Sequence, residues 1–270
     1  MGNNTPGKPT PEPGADADCD PTVRRLVVVI EYGRWGVSFA PMADNIARVF
    51  ADAIATDPTR PLLTWYDDAT GERTELSGAT LANWVAKTAN LLVDEVAVGS
   101  GDVAGVLLPP HWQSAAVLLG CWSAGLTVTD TPGDVDVLFV ATARVAEAEA
   151  WSAGERYVLA LDPFALPMRQ VPTGFADYVS EVRAHGDHFS PYAKGGPGDA
   201  ELLARASARA TELGITPGDR LLIDTARYPD PVDWLLAPLT TRSTTVLCAN
   251  LDPTTLPTRT TTERVTHPLT

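Results

Sequence analysis

Between residues 46 and 54, Ile46, Val49, Phe50, Ala53 and Ile54 recur at helical spacing on one stripe, and Pro58 closes the element. The pattern then changes period. PLLTWYDDATGERTELS alternates apolar and polar positions around an Asp/Thr/Gly turn, which predicts two strands. Ser77 or Thr80 can cap a second helix, whose stripe is Leu81, Trp84, Val85, Thr88, Leu91 and Leu92. VAVGSGDVAGVLLPP runs from a turn into a short, wholly apolar strand. HWQSAAVLLGCWSAG follows as a buried helix stopped by Gly125, and LTVTDT gives another strand. DVDVLFVA, a helix over 142–152 and RYVLALD continue the alternation.

The same order of parts then returns. A helix over 200–213, a turn and strand in ITPGDRLLIDT, a helix in PVDWLLAPL and a strand in TTVLCANLD repeat the sequence of elements found over residues 81–130, with VGSGDVAGVLL matching ITPGDRLLIDT. Strands buried on both faces and separated by helices imply parallel βαβ units with right-handed crossovers. The predicted fold class is therefore α/β, with two similar lobes built on mostly parallel sheets. The first lobe is expected over 42–186, a linker over 187–198, a second, partial lobe over 199–253 and a flexible Thr/Pro-rich tail over 254–270.

Residues 1–22 are rich in Pro, Gly, Asp and Asn, a composition with too little apolar surface to fold. VRRLVVVIEYGRWGVSFAP follows, and the periodic pattern begins only after Met42. The expectation is that residues 1–41 are a disordered or spurious extension and that Met42 is the biological start. Arg24 and Arg25 precede only five apolar residues before Glu31, too few for a secretory core of about 7–15.

Charge narrows the function classes. The chain has 20 basic and 34 acidic residues, a net charge of −14, which opposes binding to nucleic acid or to an anionic membrane. Only Lys8, Lys87 and Lys194 could supply a catalytic amine. Cys19, Cys121 and Cys248 form no C-x-x-C pair, so neither a disulfide framework nor a zinc site is predicted, and the chemistry suits a reducing cytoplasm. Cys121 and Cys248 lie in apolar runs as small buried hydrophobes.

Motif tests remove most catalytic readings. No G-x-x-x-x-G-K-[ST] loop exists, since Lys194 precedes its glycines. Gly99, Gly101 and Gly105 lie between a helix and a strand, the reverse of a dinucleotide fingerprint, and read as turn glycines. The HGDH stretch at His185, Asp187 and His188 lacks the spacing and ligand number of a metal site, so solvated loop histidines are expected. His111 follows two prolines at the end of an apolar strand, where open α/β sheets bind ligands, and can otherwise cap the helix after it. Residue spacing identifies no catalytic residue. His111 and Lys194 are the candidate ligand-binding positions.

The segment from Thr74 to Thr131 resembles the N-terminal part of the adenylate-forming (AMP-binding) acyl-CoA synthetase superfamily. The resemblance is carried by Leu76 and Leu81 at the start of a long helix, the Gly101-Asp102 turn, Leu108-Pro109-Pro110 at a strand end, and Ser123-Ala124-Gly125 closing a helix. ELGITPGDRLLID and LLAPLTTRSTTVLC are similar to that family's second lobe. The likeness spans about residues 43–252 and extends to a group of short actinobacterial proteins distantly similar to AMP-binding enzymes. It implies that PYAKGGPGDAE occupies the phosphate-loop position. There this chain offers no hydroxyl beyond Tyr192, loses a donor at Pro197, and brings in Asp199 and Glu201, with Asp199 expected to cap the next helix. Counterparts of the family's later segments are not found. The resemblance thus implies a binding or regulatory module without competent adenylation and with no cofactor. Alternatively, a fragment that binds AMP or acyl-CoA completes a site with a protein partner. A purely structural or interaction role is the third reading.

Overall fold

The computed structural model describes residues 1–2, 45–192 and 194–270. The expectations for residues 3–41, Met42 as a start and Cys19 included, lie outside the described residues. Helix α1 (Ile46–Ile54) is capped by Asn45, whose side chain accepts from the Arg48 N–H. Its predicted stripe packs into the main core. Strands β1 (Pro61–Asp67) and β2 (Glu72–Ser77) form the predicted hairpin. Ser77 rather than Thr80 caps helix α2 (Gly78–Asn90), which runs on through one wide turn over Leu91–Glu95.

Two five-stranded sheets result. One contains β3 (Val103–Leu107), β4 (Thr127–Thr129), β5 (Asp134–Ala141), β6 (Ser152–Leu159) and β7 (Ala176–Asp177), in the order β4-β3-β5-β6-β7, all parallel. The other holds β8 (Arg220–Asp224), β9 (Thr244–Ala249) and β10 (His267–Leu269) beside the hairpin, in the order β10-β8-β9-β1-β2, with only β1 and β2 antiparallel. Helix α3 (Trp112–Ser123), buried at every residue, joins β3 to β4. Helices α4 (Tyr178–Val182), α5 (Asp199–Glu212), α6 (Ala237–Thr240) and α7 (Leu256–Thr262) complete the set, with a tight 3-10 segment over Thr142–Ala150 and a wide turn over Val232–Leu236 leading into α6. The α/β class with two mostly parallel sheets is as the sequence predicts.

The internal repeat is visible atom by atom. Asp102 Oδ2 accepts from the Gly99 N–H at 2.8 Å, and Asp219 Oδ2 accepts from the Thr216 N–H at 2.7 Å. The carbonyls of Asp102 and Asp219 each accept from the first residue of the following strand, Thr127 and Thr244, at 2.9 Å. Gly101 and Gly218 have φ of 104° and 85°, which side chains resist, so glycine is needed in both turns. The strand orders β4-β3-β5 and β9-β8-β10 match as well.

Three sequence boundaries shift. The hairpin assigned to the first lobe pairs with β9 of the second, in parallel register from Leu63↔Thr245 to Asp67↔Ala249. An unpartnered β9 edge would leave a row of backbone groups without hydrogen bonds, and the hairpin supplies them. The expected helix over 142–152 ends at Ala150, and β6 begins at Ser152 because Ser152 donates to the Gly133 carbonyl and enters the ladder. Finally, 254–270 is no loose tail. It contains α7 and β10, held by Arg259, whose guanidinium forms two hydrogen bonds with Asp68 at 2.5 and 3.1 Å and lies 4.2 Å from the Tyr66 ring centre.

Candidate functional site

The carboxyl ends of β3, β4, β8 and β9 open onto a cleft of about 900 Å³ between the two sheets. Its apolar lining includes Leu118 and Trp122 from α3 and Val232 and Trp234 from the wide turn. Arg144 and Arg205 also line it. Arg144 is engaged by Glu147 at 2.7 Å, and Arg205 meets Asp230 at 3.4 Å. A smaller chamber of about 550 Å³ continues from it, sharing Pro109, Pro110, Thr225, Ala249 and Asn250. Ligands of open α/β sheets bind outside the carboxyl ends of the strands, and both chambers lie there.

His111 lines the smaller chamber, and it caps α3 as one of its two sequence readings expects. Its Nδ1 accepts from the Gln113 N–H at 3.2 Å, and its ring stands edge-on to Trp65 with centres 4.5 Å apart. Burial pushes the imidazole pKa down to about 3, so the ring is neutral near pH 7. With Nδ1 accepting, the proton of the neutral ring resides on Nε2. Neither that N–H nor the Trp65 indole N–H has a partner among the described residues. Trp65, Asn250 and Leu161 were not anticipated from the sequence. Trp65 reads as ordinary strand core, and only pairing of β1 with β9 brings it here.

The structure does not bring Lys194 to this site. The residue is exposed and lines neither chamber. The surrounding glycines have structural duties. A Cβ on Gly196 would lie 2.8 Å from the Gly125 carbonyl oxygen, so the linker backbone packs directly on the end of α3. Gly198, at φ 88°, precedes α5 as its N-cap in place of the expected Asp199. Asp199 is instead the first helical residue, 2% exposed, and its Oδ2 accepts from the Ile46 N–H at 3.1 Å. Asn45 Nδ2 donates to the Tyr192 carbonyl at 3.0 Å, a second tie from the start of α1 to the same segment.

Other sequence candidates also find places. His185 is not a solvated loop side chain. Its Nε2 lies 3.0 Å from Glu95, and Lys87 holds both the His185 carbonyl at 2.6 Å and Asp187 at 2.5 Å. No metal-binding group of acidic, His or Cys residues occurs among the described residues. Cys121 and Cys248 are free and buried. Gly105 is a packing position inside β3 rather than a turn glycine, since a Cβ would meet Leu138 and Trp151 at 2.7 Å. No helix among the described residues is long and apolar enough to cross a membrane.

Solved structures share this fold. An acyl-CoA synthetase from Brucella canis superposes with a TM-score of 0.63 at 18% identity, over 83% of this chain and 46% of that one. An acetoacetyl-CoA synthetase from Streptomyces lividans gives 0.61 at 19% identity, over 77% and 39%. The N-terminal domain of FACL13 from Mycobacterium tuberculosis gives 0.56 at 15%, over 83% and 62%. The chain thus spans less than half the length of the two synthetases. No family model matches it. A TIGR03089 family protein from Mycobacterium tuberculosis is 44% identical over 229 residues, covering 80% of this chain and 94% of that protein. With that identity sustained over nearly the whole of a relative, on the N-terminal fold of the acyl-CoA synthetases, the chain belongs to the TIGR03089 family.

Proposed function

We propose that this protein is a ligand-binding or regulatory module on an AMP-dependent synthetase fold, without competent adenylation of its own. One observation carries the reading. The cleft at the strand ends is open, while the linker at the phosphate-loop position is committed to packing through Gly196 on Gly125 and Asp199 on the Ile46 N–H. A phosphate cradle needs free N–H groups, hydroxyls and an ammonium aimed at one point. Here an acidic side chain sits in the first turn of α5, the end of the helix dipole that an anion would use. The purified protein is expected to give no ATP–pyrophosphate exchange with any acid, yet to be stabilised in a thermal-shift screen by some small ligand of the cleft. Robust exchange would overturn the reading.

The apolar floor of the larger chamber, with Arg205 half-exposed at its margin, favours a second reading in which AMP or an acyl-CoA is held and a partner chain completes a site. Repeating the screen with AMP and acyl-CoAs, with and without cell extract, separates the two. Exchange activity appearing only with extract supports the second.

A further inference from the structure

Among the described residues beyond Met1, the large apolar side chains left in solvent are Phe164, Leu166, Val171 and Tyr192, and the first three share the loop from β6 to β7. Phe164 is 78% exposed and Leu166 55%. Single exposed apolar residues are ordinary, but a group of them on one tied loop marks an interaction surface. Three elements hold this loop by its carbonyls. Gln113 Nε2 donates to Asp162 at 2.8 Å, Thr74 Oγ1 to Pro163 at 3.3 Å, and the Arg183 guanidinium to Ala165 at 2.8 Å. Ala165, between the two exposed residues, is buried in the main core. Phe164 and Leu166 are therefore held in solvent before anything binds, which removes part of the ordering cost of an interface.

Charge then selects the partner. The same loop walls the smaller chamber through Leu161, Asp162 and Pro163, and the charged lining of that chamber is Asp67, Glu72 and Asp162, with no Lys or Arg. None of these three carboxylates has an ion pair among the described residues. Apolar anchors beside unpaired carboxylates are complementary to a chain that is itself apolar and basic. We propose that this loop and the acidic chamber beside it dock a different protein, one that packs an apolar side chain on Phe164 and Leu166 and sets a Lys or Arg into the chamber. A second copy of this chain is a poor fit, because two molecules at −14 repel each other. The same charge opposes nucleic acid and anionic membranes. The inference goes beyond the small-ligand reading and needs no ligand in the cleft. It gives the partner chain of the second reading a place on the fold.

The probe is a benzophenone side chain, p-benzoylphenylalanine, placed at Leu166 of the full-length protein and irradiated in its native cells. The same group at Ala208, exposed on α5, is the control. One protein is expected to be linked from position 166 and not from 208. Its linked site should have a Lys or Arg within about four residues, roughly 14 Å of extended chain. Phe164→Ser should cut the yield at least about tenfold, as loss of an interface anchor does. Glu72→Gln should cut it roughly threefold, the share of one charge at an interface rim. Phe164 is in solvent and the Glu72 carboxylate holds no hydrogen bond among the described residues, so the urea midpoints of both variants should match the wild type. No protein linked at 166 above the control overturns the proposal. So does a linked site without a basic neighbour, a second copy as the linked protein, or a yield indifferent to either substitution. If small ligands stabilise the protein in the thermal-shift screen but no link forms, only this inference falls. A link that forms without any ligand stabilisation supports it and removes the ligand-binding reading instead.

Discussion

Arg259→Ala tests whether the last seventeen residues are part of the fold. Arg259 and Asp68 have side chains 8% and 9% exposed, and the guanidinium grips the carboxylate with two hydrogen bonds, at 2.5 and 3.1 Å. The same group covers the face of Tyr66 at 4.2 Å and reaches Cys248 Sγ at 3.5 Å. Removing one member of a buried pair costs about 3–5 kcal/mol, because the other charge stays buried. Asp68 would keep the Asp252 N–H at 2.7 Å and the Thr255 hydroxyl at 3.3 Å, which places the loss near the lower end, at about 3 kcal/mol. For a domain of this size that is roughly 10 °C in Tm. Urea denaturation at pH 7 measures it, with the slope m checked for constancy. The pH dependence supplies a second readout. Burial raises the Asp68 pKa, but hydrogen bonds from Arg259 and the Asp252 N–H outweigh it, and the net value lies below normal. The native carboxylate is thus more acidic than the unfolded one. Its contribution is present above the ordinary carboxylate range and is lost as pH falls through the native pKa. The variant should lack part of this acid-side loss. A cost below about 1 kcal/mol would refute the reasoning, since an exposed pair on a loose tail would give that little.

Three further outcomes follow from the packing. The His111 ring stays neutral in the native state down to about pH 3 but takes a proton near 6.5 when unfolded, so stability should fall as pH drops below 6.5. The slope is up to about 1.4 kcal/mol per pH unit, and His111→Asn, which retains a capping oxygen, should abolish that component in urea midpoints compared at pH 7 and pH 5. Gly196→Ala should cost about 1–3 kcal/mol by forcing a Cβ toward the Gly125 carbonyl, and an unchanged urea midpoint would free that glycine for another role. Burial pushes the Cys248 thiol up to about 11 and Cys121 higher still, so peptide mapping after iodoacetamide at pH 8 should find neither modified until urea is added.

Much of this molecule was legible locally. The stripes of α1 and α2, the Gly101-Asp102 and Gly218-Asp219 turns, and the all-apolar strands are consequences of spacing and of φ preferences, and spacing and φ are read directly from residues. What failed was non-local. Pairing of β1 with β9 follows from which edges remain bare after both sheets form, and no short window contains that information. The segment 254–270 looked polar because its apolar anchors are few and scattered, Leu256, Val265 and Leu269, while Arg259 and Glu263 hold α7 through charge and β10 is held by its ladder with β8. Glu263 meets Arg220 at 2.5 Å, Arg73 at 3.0 Å and the Tyr66 hydroxyl at 2.6 Å. Of the site, His111 was foreseeable from its place after an apolar strand. Trp65 was not, because an indole in a strand has the same signature whether or not its N–H faces a protein partner.

The pairing of β1 with β9 also has a consequence for synthesis on the ribosome. Asp67 and Ala249 are partners in register, so about 180 residues must be made between the first strand and the one that receives it. At translation rates of about 5–20 residues per second, the hairpin waits roughly 9–36 s for its neighbour. During that interval Leu63 and Trp65, core residues of the finished protein, have no β9 beside them. The nascent chain should therefore depend on chaperone protection until β9 is made, and any stall in translation before residue 249 should leave a chain that aggregates or is degraded.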